Sequence, residues 1–263
     1  MPAPKVIITL TTVPKRLDNI PDGLVLCIDS LTSQNYDNYE VHFNIPNNYK
    51  LTGEEYIIPE WLSKRDDIKI FRVDDFGPLT KVVPTFKRIE DPETIIIVVD
   101  DDLVYLPDMI NEHVRFQSEK ERVYGYDGIA LRDGPHFEGD DVRNHYVVGV
   151  PVQLRTNIMQ HYKSVSYKRK YIEEDFFTDF IGKSQSDDVT LSAYCNSKDL
   201  PLIVCPSKGE PVYKDVEEWR EKAGVLTFPV KRHTAIEMRT GCNDPLAEQR
   251  FFMPKEWIDK GWI

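Results

Sequence analysis

Thr94-Ile95-Ile96-Ile97-Val98-Val99-Asp100-Asp101-Asp102 is the stretch whose reading decides the fold. From Ile95 to Val99 there is no polar alternation. A strand made of that run must be covered on both faces, as a central strand of a mainly parallel sheet is. The carboxyl end of such a strand is where an open α/β sheet forms its ligand crevice. There the sequence puts three adjacent carboxylates. They repel one another unless a cation or hydrogen-bond donors compensate, and hard oxygen ligands suit Mg²⁺ or Mn²⁺. Such an ion can bridge two phosphates and neutralise charge on a leaving diphosphate. The competing reading is a solvated acidic turn, or a helix cap in front of a segment from Leu103 to Phe116.

Outward from this strand, the first hundred residues alternate as βαβ units do. Val6 to Thr11 reads as a first strand and Leu24 to Leu31 as a helix. Tyr39 to Ile45 and Ile68 to Val73 read as further strands, with Thr94 to Val99 the fourth. This predicts an α/β chain with a mainly parallel central sheet flanked by helices on both faces. From about Gly125 the pattern changes to short apolar runs, such as Tyr146 to Val150 and Leu202 to Cys205, set among Tyr, Arg, Asp and Gly. This half reads as extra strands and loops that complete a site. A helix is expected to start at Ser186 as N-cap, and another from about Thr234 to Glu237. With no repeat and no linker, the chain reads as one domain, residues 1–263, with a nucleotide-binding half to about 124 and a second half from about 125.

Three other segments carry candidate chemistry. Asp74-Asp75-Phe76-Gly77-Pro78-Leu79-Thr80-Lys81 follows the third strand; Thr80 is expected to cap the next helix and Lys81 to lie in its first turn. A lysine there opposes the helix dipole unless an anion such as phosphate is near. Thr9-Leu10-Thr11-Thr12-Val13-Pro14-Lys15-Arg16 follows the first strand, and its hydroxyls and guanidinium can hold a base, ribose or phosphate or serve as a cap and a surface charge. Ser186-Asp187-Asp188-Val189 offers a carboxylate that could take a proton from a hydroxyl, or acids that merely favour a helix start.

Composition narrows the classes. Of 263 residues 41% are hydrophobic and 29% charged, within the globular range, so a folded core is expected. The formal charge of -11 disfavours nucleic acid or anionic lipid as a general partner, and an anionic ligand needs a local basic pocket or a metal. Cys27, Cys195, Cys205 and Cys242 show no CxxC spacing and read as free thiols. No signal peptide or transmembrane run is visible, which suits a cytoplasmic protein.

The TTVPKR segment, the GPLTK turn, the strand ending in Asp100-Asp101-Asp102 and the late Asp187-Asp188 pair, in that order, resemble the GT-A glycosyltransferases. The likeness is closest to the compact single-domain kind found in large algal viruses and some bacteria. It spans roughly residues 6 to 195, and GPLTK followed by an apolar strand and VDDD is its most specific part. The resemblance implies a Rossmann-like GT-A sheet and a nucleotide-sugar donor, commonly a UDP-sugar, and, for a viral chain, the host cytoplasm. By it, Thr11 and Arg16 would line the nucleotide pocket, Asp75 would recognise the base, and Lys81 would approach the nucleotide or diphosphate. Asp100, with Asp101 beside it, would touch the ribose or donor sugar. Asp102 would bind Mn²⁺ or Mg²⁺ with Asp100, and a late histidine, here His233, would be a further ligand. Asp188, paired with Asp187, would be the base of an inverting displacement. Lys231 and Arg232 could close over the diphosphate, and the Gly125-Tyr126-Asp127-Gly128 and Arg132-Asp133-Gly134 turns could line the donor or acceptor pocket.

The reading is therefore metal-dependent transfer of a sugar from a nucleoside diphosphate to a glycan or other hydroxyl acceptor. If Asp188 only caps a helix, a retaining course stays open. A nucleotidyltransferase acting on sugar phosphates is the rival enzyme, although no G-x-G-x-x-G or Walker loop is present. A non-catalytic carbohydrate-binding protein on the same scaffold is the rival from outside enzymology.

Overall fold

The computed structural model describes residues 2–19, 21–131, 144–148, 154–205 and 254–262. Strand β1 (Val6–Leu10) lies between β2 (Tyr39–Pro46) and β4 (Ile95–Val98), parallel to both, with Ile8 opposite Val41 and Ile97. The lysine-bearing β3 (Lys69–Val73) continues beyond β2 as a partly exposed edge, also in parallel. On the other side of β4 the sheet takes strands from later in the chain. They are β10 (Val165–Lys168), antiparallel to β4, then β5 (Val123–Gly125), β11 (Leu202–Val204) and β8 (Leu154–Thr156). The eight-stranded order is β3-β2-β1-β4-β10-β5-β11-β8. A second sheet of three strands sets β6 (Asp127–Leu131) between β7 (Asn144–Val148) and β9 (Ile158–Met159). The mainly parallel sheet expected from the sequence is present, with its second half mixed.

The apolar run behaves as its composition demands. Ile95, Ile97 and Val99 pack, with Val6, Ile8 and Leu10, against Leu24, Cys27, Ile28 and Leu31 of α2 (Pro21–Thr32) and Met109 and Ile110 of α5 (Met109–Glu119). Ile96, Val98 and Ile7 face the opposite layer, with Val83 and Phe86 of α4 (Val83–Arg88) and Val189 and Tyr194 of α6 (Asp187–Ser197). Every residue from Ile95 to Val99 is at most 2% exposed. Truncating one of these isoleucines to alanine should cost about 2–5 kcal/mol.

One competing reading and two expectations need correction. The helix looked for over Leu103 to Phe116 begins only at Met109, because Pro107 disfavours helical backbone at Leu106 and has no N–H to donate. Thr80 does not cap α4. It ends, with Lys81, a 3-10 turn from Gly77 to Lys81, and its Oγ1 accepts the Phe76 N–H at 2.8 Å. Lys81 therefore does not oppose a helix dipole from a first α-helical turn. Its charge is answered by carboxylates instead. Cys27, Cys195 and Cys205 are free and buried, as expected. Cys242 and the helix expected near Thr234 lie outside the described residues.

Candidate active site

The acidic triplet follows β4 directly and is not a solvated turn. Asp101 is 5% exposed, and Asp100 and Asp102 are only partly exposed. Nor does it cap α5, which starts seven residues after Asp102. The three carboxylates divide their partners. Asp101 receives the guanidinium of Arg16 on Oδ1 and the Thr12 hydroxyl on Oδ2 at 2.5 Å. Arg16 also reaches Asp102 Oδ2 at 3.1 Å. Pro14 opens α1 (Pro14–Asn19) at a position where a missing N–H costs nothing, and this short helix delivers Arg16 to the triplet. Arg16 is 8% exposed. The sequence offered it to a nucleotide, and the structure shows its guanidinium spanning two carboxylates.

Asp100 is held by Lys81, whose Nζ lies 2.5 Å from Asp100 Oδ1. The same Nζ lies 2.7 Å from Asp187 Oδ2, so one ammonium ties the end of β4 to the start of α6. A buried polar set fixes the lysine's backbone. Thr9 Oγ1 donates to the Lys81 carbonyl at 2.5 Å, and Thr9 is in turn met by Asn44 and Thr85. Burial alone would pull the Lys81 pKa down, but Asp100, Asp187 and Asp188 outweigh it and hold the pKa above 10.5.

Ser186 caps α6 by accepting the Val189 N–H, which fixes the Asp187-Asp188 pair in the first turn. Asp188 Oδ1 receives the backbone N–H of His161 at 2.9 Å and contacts His161 Nδ1 at 2.6 Å. His161 Nε2 contacts the Tyr167 hydroxyl at 2.7 Å. With Nδ1 protonated, the imidazole donates to Asp188 and accepts from Tyr167, which orients the carboxylate from behind. These bonds fall on Oδ1, while the Asp188 side chain keeps 21% of its surface exposed. Burial and the neighbouring Asp187 raise the Asp188 pKa above the ordinary 3.8, opposed by His161 and Lys81.

Sequence reasoning missed His161. It lies 27 residues from Asp188, in a 3-10 turn (His161–Lys163) between β9 and β10 with no motif spacing. Asp127, which the sequence placed at a pocket wall, is 1% exposed and hydrogen-bonded through Oδ2 to the Tyr162 hydroxyl. Thr11 donates to the Asn44 carbonyl at 2.7 Å. Asp75 accepts the Lys50 N–H and the Gly77 N–H, each at 2.7 Å, and so pins the segment after β2 to the Gly77 turn. His233, Lys231, Arg232 and the Arg132-Asp133-Gly134 turn lie outside the described residues.

Five carboxylates, Asp100, Asp101, Asp102, Asp187 and Asp188, thus surround two cations, Lys81 and Arg16. The five carboxylates exceed the two cations by three negative charges in a largely buried place, which favours a hard divalent cation. The donor set fits one. One atom each of His161, Asp187 and Asp188 lies within 4.8 Å of the others. His161 Nδ1 lies 3.4 Å from Asp187 Oδ2 and 2.6 Å from Asp188 Oδ1, inside the roughly 4.2 Å that two 2.1 Å bonds span, and an ion there would displace the His161–Asp188 hydrogen bond.

No protein-family model matches the chain, and no curated protein does. Solved structures match in fold. The mannosyltransferase PcManGT from Pyrobaculum calidifontis, solved with GDP-Man and Mn²⁺, superposes with a TM-score of 0.51 at 14% identity, over 94% of this chain and 69% of that one. A 4-diphosphocytidyl-2C-methyl-D-erythritol synthase superposes with a TM-score of 0.50 at 8% identity, over 82% of this chain and 94% of that one. S. aureus TarS 1-349 in complex with UDP-GlcNAc is 12% identical with a TM-score of 0.48, and 57% of its length is covered. With PcManGT and the synthase the chain shares the Rossmann-like GT-A fold, a central sheet with flanking helices.

Proposed function

We propose that this chain is a metal-dependent glycosyltransferase that moves a sugar from a nucleoside diphosphate to a hydroxyl acceptor. One observation carries the proposal: the Lys81 ammonium touches both Asp100 and Asp187. It gathers the triplet after β4 and the pair at the start of α6 into one charged site at the carboxyl end of the parallel strands, where this class of sheet binds ligands. A Mn²⁺ or Mg²⁺ held by Asp102 and Asp100 would offset charge on the departing diphosphate. Lys81, already desolvated and protonated, adds a fixed positive charge beside that position. Asp188 is the base: His161 orients it, and its raised pKa brings its proton affinity closer to that of a group working near neutrality. Asp188 acting as that base on the acceptor hydroxyl implies an inverting displacement.

The fold is shared with a nucleotidyltransferase, so the products decide the chemistry. Purified protein incubated with UDP- and GDP-sugars and Mn²⁺ should release nucleoside diphosphate, and Asp188→Asn should suppress that release. Release of pyrophosphate from a nucleoside triphosphate and a sugar phosphate would replace this reading with nucleotidyl transfer. Sugar binding with no turnover under any of these conditions would leave a carbohydrate-binding protein.

A further inference from the structure

The His161–Lys163 turn contributes the group that orients Asp188, yet its own anchoring lies behind the site. The Tyr105 hydroxyl, in the coil between the triplet and α5, accepts the Asp100 N–H at 3.0 Å. It also lies 3.0 Å from the Asp100 carbonyl and 2.9 Å from the Tyr162 carbonyl, to either of which its single proton can go. Tyr105 is 6% exposed. One buried hydroxyl therefore joins the backbone of the triplet to the backbone of the residue after His161.

The far end of the same turn is held as firmly. Ser164 has φ 89, a left-handed conformation that a side chain disfavours and that persists only where surroundings impose it. Its hydroxyl meets His113 Nε2 at 2.8 Å, and His113 Nδ1 meets Ser166 Oγ at 2.9 Å. His113 is fully buried, and burial pushes its pKa down to about 3, so it is a neutral ring that donates on one side and accepts on the other.

We infer that Tyr105 and His113 are positioning residues that set where His161 stands relative to the acidic triplet, so that the orienter of the base and the cation-binding carboxylates move as one unit. The inference rests on the proposed glycosyl transfer for its catalytic meaning, but its geometry can be tested without turnover. The imidazole resonances of His161, read by NMR at fixed pH and assigned by loss in His161→Gln, report its hydrogen bonds directly. Tyr105→Phe removes one oxygen and keeps the ring.

The expected result is a displaced His161 signal and, with donor and acceptor, a kcat lowered about 10–100-fold while the donor KM changes little, as for other residues that orient a site from behind. Ser164→Ala, which cuts the His113 contact, should displace the same signal and serves if Tyr105→Phe does not fold. An unchanged His161 signal in a folded Tyr105→Phe or Ser164→Ala protein overturns the inference, even if kcat falls. A displaced signal in a protein whose wild type releases no nucleoside diphosphate keeps the positioning claim and removes the glycosyltransferase reading instead.

Discussion

Replacing Lys81 by methionine tests how the site is held together. The ammonium is 2.5 Å from Asp100 and 2.7 Å from Asp187, and its side chain is 7% exposed, so solvent screens these pairs little. Methionine keeps most of the stem's volume, which makes the cavity contribution small. What remains is two carboxylates robbed of their shared cation, and removing one partner of a buried ion pair typically costs about 3–5 kcal/mol. At roughly 2–4 °C per kcal/mol for a chain of this size, Tm should fall by about 6–20 °C. The sign of the pH dependence follows from the raised Lys81 pKa. A cation whose folded value exceeds 10.5 contributes fully below 10.5, and its contribution fades only as pH climbs through the folded value. Differential scanning fluorimetry of both proteins should therefore show the same gap in Tm at pH 7 and pH 9. Mn²⁺ should raise the Tm of the variant more than that of the wild type, because the variant has lost one competing positive charge. A variant as stable as wild type, or a gap that closes by pH 9, would show that Lys81 does not hold these carboxylates together.

Other substitutions separate the roles. Arg16→Met leaves Asp101 buried with only the Thr12 hydroxyl among the partners described above, and should destabilise by about 3–5 kcal/mol in chemical denaturation; Arg16→Lys, unable to span Asp101 and Asp102, should fall between. Asp188→Asn should lower kcat by about 10²–10⁴-fold in a nucleoside diphosphate release assay while the Kd for the nucleotide stays within a few-fold. His161 holds the Asp188 pKa down against burial, so His161→Gln should raise that pKa further and move the acid limb of the kcat profile to higher pH. A limb that stays put or moves to lower pH would show that His161 does not act on Asp188.

The left half of the sheet was legible because short-range pattern fixes it. An unbroken β-branched run such as Ile95 to Val99 has no stable place except between two layers, and the Ser186 cap is written in four consecutive residues. The triplet stood out as a candidate site because acids after such a strand need an explanation. Its internal division of labour was not. That Asp101 is neutralised by Arg16, and Asp100 by Lys81, depends on contacts across 85 and 19 residues that no local spacing encodes. His161 was invisible for the same reason: its meaning comes from Asp188 and Tyr167, and only the return of β10 against β4 brings the 3-10 turn to the start of α6. The Thr80 cap failed because a 3-10 turn, closed by the Phe76 N–H, competes with an α-helical start at Val83.

In the proposed reaction the carboxylates around Lys81 hold a divalent cation against a nucleoside diphosphate. Isothermal titration of UDP and GDP into the protein, with Mn²⁺ and with chelator, tests it most directly, with Asp102→Asn as the comparison. At least one of the two should bind in a way that requires Mn²⁺ in the wild type and is weakened about 10-fold or more in Asp102→Asn, on the scale of a lost charge-assisted contact of at least 1.4 kcal/mol. Equal affinity with and without the metal, or no binding of either nucleotide, would contradict it.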